Sequence, residues 1–115
     1  MRATANDNIR PERRSERRRK VLMSGKIAWR DNMLSGDCTI RDLSDGGAKV
    51  RLADPLAPND PVLIVLRTGQ AFAARTAWRH GALAGLAFEE SYDLTQPGPE
   101  PMPYTRRLWL DQLPR

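Results

Sequence analysis

From Val21 onward, apolar and polar residues alternate with a period of two. Val21, Met23, Gly25, Ile27 and Trp29 fall on one face, and Ser24, Lys26 and Arg30 on the other. That pattern predicts a half-buried strand over about residues 20–30. Asp31 to Asp37 carries Asn, Ser and Gly and reads as a loop. Cys38 and Ile40 then oppose Thr39 and Arg41, giving a second strand. After an interruption at Asp42-Leu43-Ser44-Asp45-Gly46-Gly47, Ala48, Val50 and Leu52 resume the alternation against Lys49 and Arg51. The interruption therefore reads as a hairpin connection. Val62 to Leu66 is an unbroken apolar run between Pro- and Gly-bearing turns, as expected of a strand buried on both faces. Phe72, Ala74, Thr76 and Trp78 share a face opposite Arg75 and Arg79. His80-Gly81-Ala82 turns the chain, and Leu83 to Phe88 pairs back. Six short strands with turn signals at short intervals predict an all-β fold, a six-stranded antiparallel barrel that is closed or nearly so.

The remainder departs from this texture. Pro97, Pro99, Pro101 and Pro103 alternate with other residues, an extended spacer over 93–103. Beyond it, Tyr104, Leu108 and Leu113 lie near one helical face, joined by Trp109 and Leu110, so residues 104–115 are expected to hold a short C-terminal helix. Such a helix is too short to stand alone and should pack on the barrel or on a partner. The division expected is a disordered arm over 1–12, the barrel with its preceding arginine segment over 13–92, the spacer, and the helical tail.

Composition narrows the chemistry. The chain has 115 residues and is 40% hydrophobic, enough for one small core. No apolar run reaches the ~18–20 residues of a membrane span, and the N-terminus lacks a signal-like apolar stretch. One cysteine, Cys38, allows no internal disulfide, so a cytoplasmic location is the expectation. One histidine, His80, excludes multi-histidine metal centres. Pairing Cys38 or Ser44 as nucleophile with His80 as base has nothing further to support it, so no enzyme activity, metal or cofactor is expected. Cys38, Trp29 and Trp78 are read as core residues, His80 as a surface residue, and Trp109 as an anchor for the helix or a partner contact.

Charge, by contrast, is concentrated. The net charge is +5, and residues 1–20 hold eight basic groups against three acidic ones, which accounts for all of it. An arm of this kind attracts phosphate, nucleic acid or an anionic surface. Its densest part is Arg13-Arg14-Ser15-Glu16-Arg17-Arg18-Arg19, immediately before the first strand. Arginine forks onto phosphate or the O6/N7 edge of guanine and stacks on purine faces. In the second-to-third strand connection, the Asp42 carboxylate accepts hydrogen bonds, Ser44 offers a hydroxyl and Gly47 permits close approach. An acceptor carboxylate suits the N1–H and N2–H donors of guanine. The set is complementary to a ligand bearing both guanine and phosphate.

These residues resemble the PilZ domain family, bacterial receptor modules for cyclic di-GMP. The family's RxxxR motif is matched by Arg14 to Arg18, and its (D/N)xSxxG motif by Asp42 to Gly47, with Gly85-Leu86-Ala87-Phe88 in the place of the closing strand. Arg13/Arg17 and Arg10/Arg14 also fit RxxxR; the distance to Val21 favours Arg14/Arg18. The resemblance covers about residues 10–90. It implies a cyclic di-GMP receptor whose arginine segment folds over the ligand and signals to a downstream protein. Arg14 and Arg18 would bind phosphate and guanine, Asp42 would accept from a guanine edge, Ser44 would contact phosphate or the ligand's polar rim, and Gly47 would leave room for the base. Arg13 and Arg17 are possible additional contacts. Two rival readings remain: a small barrel whose basic arm grips nucleic acid, and a PilZ-like adaptor without ligand.

Overall fold

The computed structural model describes residues 19–30, 34–54 and 59–114. Six strands, β1 (Arg19–Trp29), β2 (Ser35–Leu43), β3 (Gly47–Leu52), β4 (Pro61–Val65), β5 (Gln70–His80) and β6 (Leu83–Asp93), precede one helix, α1 (Thr105–Asp111). All neighbouring strands pair antiparallel, in the order β1-β2-β3-β6-β5-β4, and β4 returns to β1 to close a barrel. The closing strand β4 is paired on both sides, with Gly25–Trp29 of β1 and Gln70–Ala73 of β5. The predicted six-stranded barrel with a short C-terminal helix is the fold observed. Several strands run longer than alternation alone marks them. β2 begins at Ser35 because that residue already pairs with Ala28, and β6 reaches Asp93 opposite Gln70.

Two apolar clusters occupy the two sides of this wall. Inside the barrel, Ile27, Cys38, Ile40, Val50, Leu63, Val65, Phe72 and Leu86 form the main core. Phe72 and Phe88 stack with ring centroids 3.9 Å apart. The second cluster lies outside the barrel, where Ala28, Val62, Ile64 and Ala71 are covered by Leu94 and Trp109. This is why every residue of β4 is buried: its even positions face the tail and its odd positions face the core.

The tail is fixed by specific contacts as well as by apolar area. The Trp109 indole N–H donates to the Leu66 carbonyl at 2.9 Å. Beneath that ring sits Gly69, at φ 78°, where an added Cβ would lie 2.8 Å from Trp109 Cζ2. Glycine is needed there for both conformation and space. Arg106 ties the proline-bearing segment to the helix, with its guanidinium bonding the Leu94 and Gly98 carbonyls and Glu100. The helix turns Thr105, Leu108 and Trp109 inward, one residue round from the expected face, and Tyr104 is 64% exposed at its start.

A fully packed tryptophan sealing an otherwise bare sheet face should matter globally. Trp109→Ala is expected to lower the unfolding free energy by about 3–5 kcal/mol, read from urea denaturation.

Candidate functional site

Strict alternation from Cys38 and Ile40 would send Asp42 into the core. The register prevents this. Ile40 pairs with Val50 but Asp42 pairs with Lys49, so β2 carries one extra residue, Arg41, relative to β3. This bulge turns Asp42 to the outer face beside Lys49 and returns Leu43 to the inner face, packed against the core. A second irregularity in β1, between Lys20 and Met23, sets Lys20 opposite Asp42 on its other side. The Asp42 side chain is only 10% exposed, and its Oδ2 lies 3.3 Å from Lys49 Nζ. An acid this shielded requires a charged or hydrogen-bonding partner, and Lys49 supplies one.

The turn that follows is closed by Ser44. Its amide donates to the Gly47 carbonyl at 2.9 Å, its hydroxyl donates to the same oxygen at 3.2 Å, and that hydroxyl accepts from the Gly47 amide at 3.2 Å. A hydroxyl has one proton to donate, so a bond from Ser44 to a phosphate requires the hydroxyl to rotate out of the turn. Gly47 is buried against β6, and a Cβ there would run into the Leu86 carbonyl oxygen. Its lack of a side chain is therefore demanded by the neighbouring strand. Asp42, Ser44 and Gly47 are brought together at one end of β2 and β3. Arg13, Arg14, Arg17 and Arg18 lie outside the described residues.

Trp78 corrects the sequence expectation of a core residue. Thr76 pairs with Leu86 and Trp78 with Gly85, so Ala77 is an extra residue in β5 that reverses the side-chain phase. Trp78 consequently lies outside the barrel, 45% exposed, with its indole resting on Gly85 where any Cβ would collide. The registers set out a row across five strands: Lys20, Asp42, Lys49, Gly85, Trp78. A groove of about 510 Å³ runs beside it, floored by Gly47, Gly85 and Ala87 and bounded by Asp42, Lys49 and Trp78. A larger depression of about 850 Å³ opens at the barrel mouth, with Ser44 and Asp45 on its rim, but Asp42 does not line it. The groove, which contains the acceptor, the cation and the exposed ring, is the chemically equipped one.

Exposed cations outnumber the acids on this side. Arg41, Arg51 and Arg75 are exposed on β2, β3 and β5, around Lys20 and Lys49. Several acids are engaged elsewhere: Glu89 with Arg30 at 3.4 Å, Glu100 with Arg106 at 3.3 Å and Asp111 with Arg107 at 3.4 Å. The near-neutral total of the barrel sequence thus conceals a basic wall. Sequence reasoning missed it, along with Lys49 and Trp78, because all three depend on cross-strand register.

Cys38 lies inside the barrel, where burial, with Asp37 adding to it, pushes the thiol up to about 12. Held protonated and covered, it is not a nucleophile in the folded state. Among the described residues there is no cluster of metal-ligating side chains, and no helix is long and apolar enough to cross a membrane.

The structure is a closed six-stranded barrel whose β2–β3 connection carries a shielded carboxylate and a glycine turn. The family model of the PilZ domain matches residues 12–97, and the chain belongs to that family. Domains of this family bind cyclic di-GMP and act as binding or adaptor modules. No curated protein matches the chain at a significant level.

Burial of Cys38 has a measurable consequence. The unfolded chain loses the thiol proton near the ordinary value of 9.0 and the folded one near 12, so the folded state holds more protons between them. This contribution is complete below pH 9 and disappears as pH rises towards 12. Alkaline unfolding should therefore be less steep for Cys38→Ala than for the native chain, and a thiol reagent should label Cys38 only after denaturation.

Proposed function

We propose that this protein is a cyclic di-GMP receptor whose arginine segment closes over ligand held against the Asp42–Gly47 turn. One observation carries the reading: β1 enters the barrel beside that turn, with Arg19 paired to Leu43 and Lys20 to Asp42. Arg18 is thereby tethered one residue from the strand start. Arg14 is five residues before Arg19, a chain reach of at most about 18 Å. That chain length supports the reading, because it keeps Arg14 and Arg18 within reach of the turn.

The chemistry follows from the groups present. The ligand carries two phosphate charges, and the basic wall draws it in by long-range attraction that salt screens. Arg14 and Arg18 fork onto phosphate or the guanine O6/N7 edge, with Arg13 and Arg17 as additional contacts, and Asp42 accepts from the N1–H and N2–H edge. Ser44 adds a phosphate bond once its hydroxyl leaves the turn, and Gly47 keeps the floor low beneath the base. The Trp78 ring supplies an apolar plane at the far side of the groove. Fixing the arginine segment costs roughly 1–2 kcal/mol per residue, which holds the affinity down and makes the ordered segment itself the signal. A downstream protein that recognises the ordered strap would read ligand occupancy without any catalytic step.

The basic wall is also what a nucleic-acid-binding barrel would present. Single-stranded binding, however, relies on a run of stacking rings, and Trp78 is the exposed aromatic on the wall.

Calorimetric titration tests the reading. Cyclic di-GMP should bind with an affinity that weakens as salt rises. Arg14→Ala, Arg18→Ala and Asp42→Ala should each weaken it by about 1–3 kcal/mol while the barrel stays folded by circular dichroism. Absence of heat at high ligand, together with a salt-steep gel shift of oligonucleotide, would replace this reading with nucleic-acid binding.

A further inference from the structure

Lys49 lies outside both motifs, yet it is the side chain in direct contact with Asp42. Its Nζ stands 3.3 Å from Oδ2, and its own side chain is 37% exposed, so the ammonium is placed on the carboxylate's flank and remains open to the groove. The pairing is built into the sheet, because the Arg41 bulge sets the two residues directly opposite on the outer face. In the row across the wall, Lys49 stands between Asp42 and the Gly85–Trp78 pair, on the groove side of the acid.

This places a donor beside an acceptor pair. The Watson–Crick edge of guanine presents, in order, the O6 acceptor, the N1–H donor and the N2–H donor. A base that gives N1–H to Oδ2 and N2–H to Oδ1 brings O6 to the Lys49 side. We infer that Lys49 donates to guanine O6 and, with Asp42, forms a three-point reader of the guanine edge that sets base specificity. The inference rests on the cyclic di-GMP reading above and assigns to that site a residue neither motif contains. In this register adenine is disfavoured at both contacts, since its N6–H donor meets the ammonium and its N1 lone pair meets the carboxylate. The ammonium also holds the carboxylate in place before the base arrives, so the reader is preorganised.

The test must separate contact with O6 from simple support of Asp42. Binding of cyclic di-GMP and of its 6-thioguanine counterpart, whose sulfur is a weaker acceptor than oxygen, is measured for the native chain, Lys49→Met and Lys49→Arg. The native chain should prefer the oxygen ligand by about ten- to a hundredfold, the scale of a hydrogen bond to a charged group. Lys49→Met should bind cyclic di-GMP more weakly and lose that preference, whereas Lys49→Arg should retain it. An equal preference in the native chain and Lys49→Met would overturn the role of Lys49 while leaving the receptor reading intact. A native chain that binds neither ligand would overturn the receptor reading and this inference with it. Thermal unfolding of each variant confirms that the barrel is present.

Discussion

One extra residue in β2 decides what the second motif can do. Without the offset at Arg41, Asp42 would follow Cys38 and Ile40 into the apolar interior, where an unpaired carboxylate is strongly destabilising. With it, the acid lies on the outer face against Lys49, and Leu43 fills the interior position instead. The adjoining irregularity in β1 aligns Lys20 with the same acid, so the strand that leads in from the arginine segment is in register with the turn. The site is thus a property of two coupled bulges on adjacent strands.

The second organising fact is that the two sides of the barrel are used differently. β4 lies diametrically opposite β3 in the closed order, and the C-terminal segment covers β4 and its neighbours with Leu94, Leu108 and Trp109. That cover makes β4 apolar on both faces. Among the described residues, none covers the surface that runs from β2 across β3 and β6 to β5, which carries exposed cations and the exposed indole of Trp78. The tail packs on the β4 side, and the residues that line the groove beside Asp42, Lys49 and Trp78 come from β2, β3, β5, β6 and the β2–β3 turn rather than from the helix.

Local pattern made some of this legible and cross-strand geometry hid the rest. The unbroken run from Val62 to Val65 announced a doubly buried strand, and alternation placed Cys38, Ile40 and Val50 in the core. The spacing of Asp42, Ser44 and Gly47 located the turn, because those residue types are those that turns and ligands share. Trp78 was misplaced for a definite reason: Ala77 adds one residue to β5, and period-two reasoning fails at each added residue. The same limit concealed the Asp42–Lys49 pair, which are seven positions apart in sequence and become neighbours only across the hairpin. Tyr104 looked like part of the helix's buried face, but it sits in a left-handed conformation before the first turn, and Thr105 takes the buried position. Nor does composition betray the basic wall, since charge totals carry no information on which face each residue occupies.

The central claim is that ligand binds on the β2–β3–β6 wall beside the Asp42–Gly47 turn. It is tested most directly by following amide and indole N–H resonances as cyclic di-GMP is added. The account predicts that the Trp78 indole and the amides of Gly47, Lys49 and Gly85 move together, while the Trp109 indole, bonded to the Leu66 carbonyl, stays in place. Shifts centred on Trp109 and α1, with Gly47 and Lys49 unmoved, would contradict it.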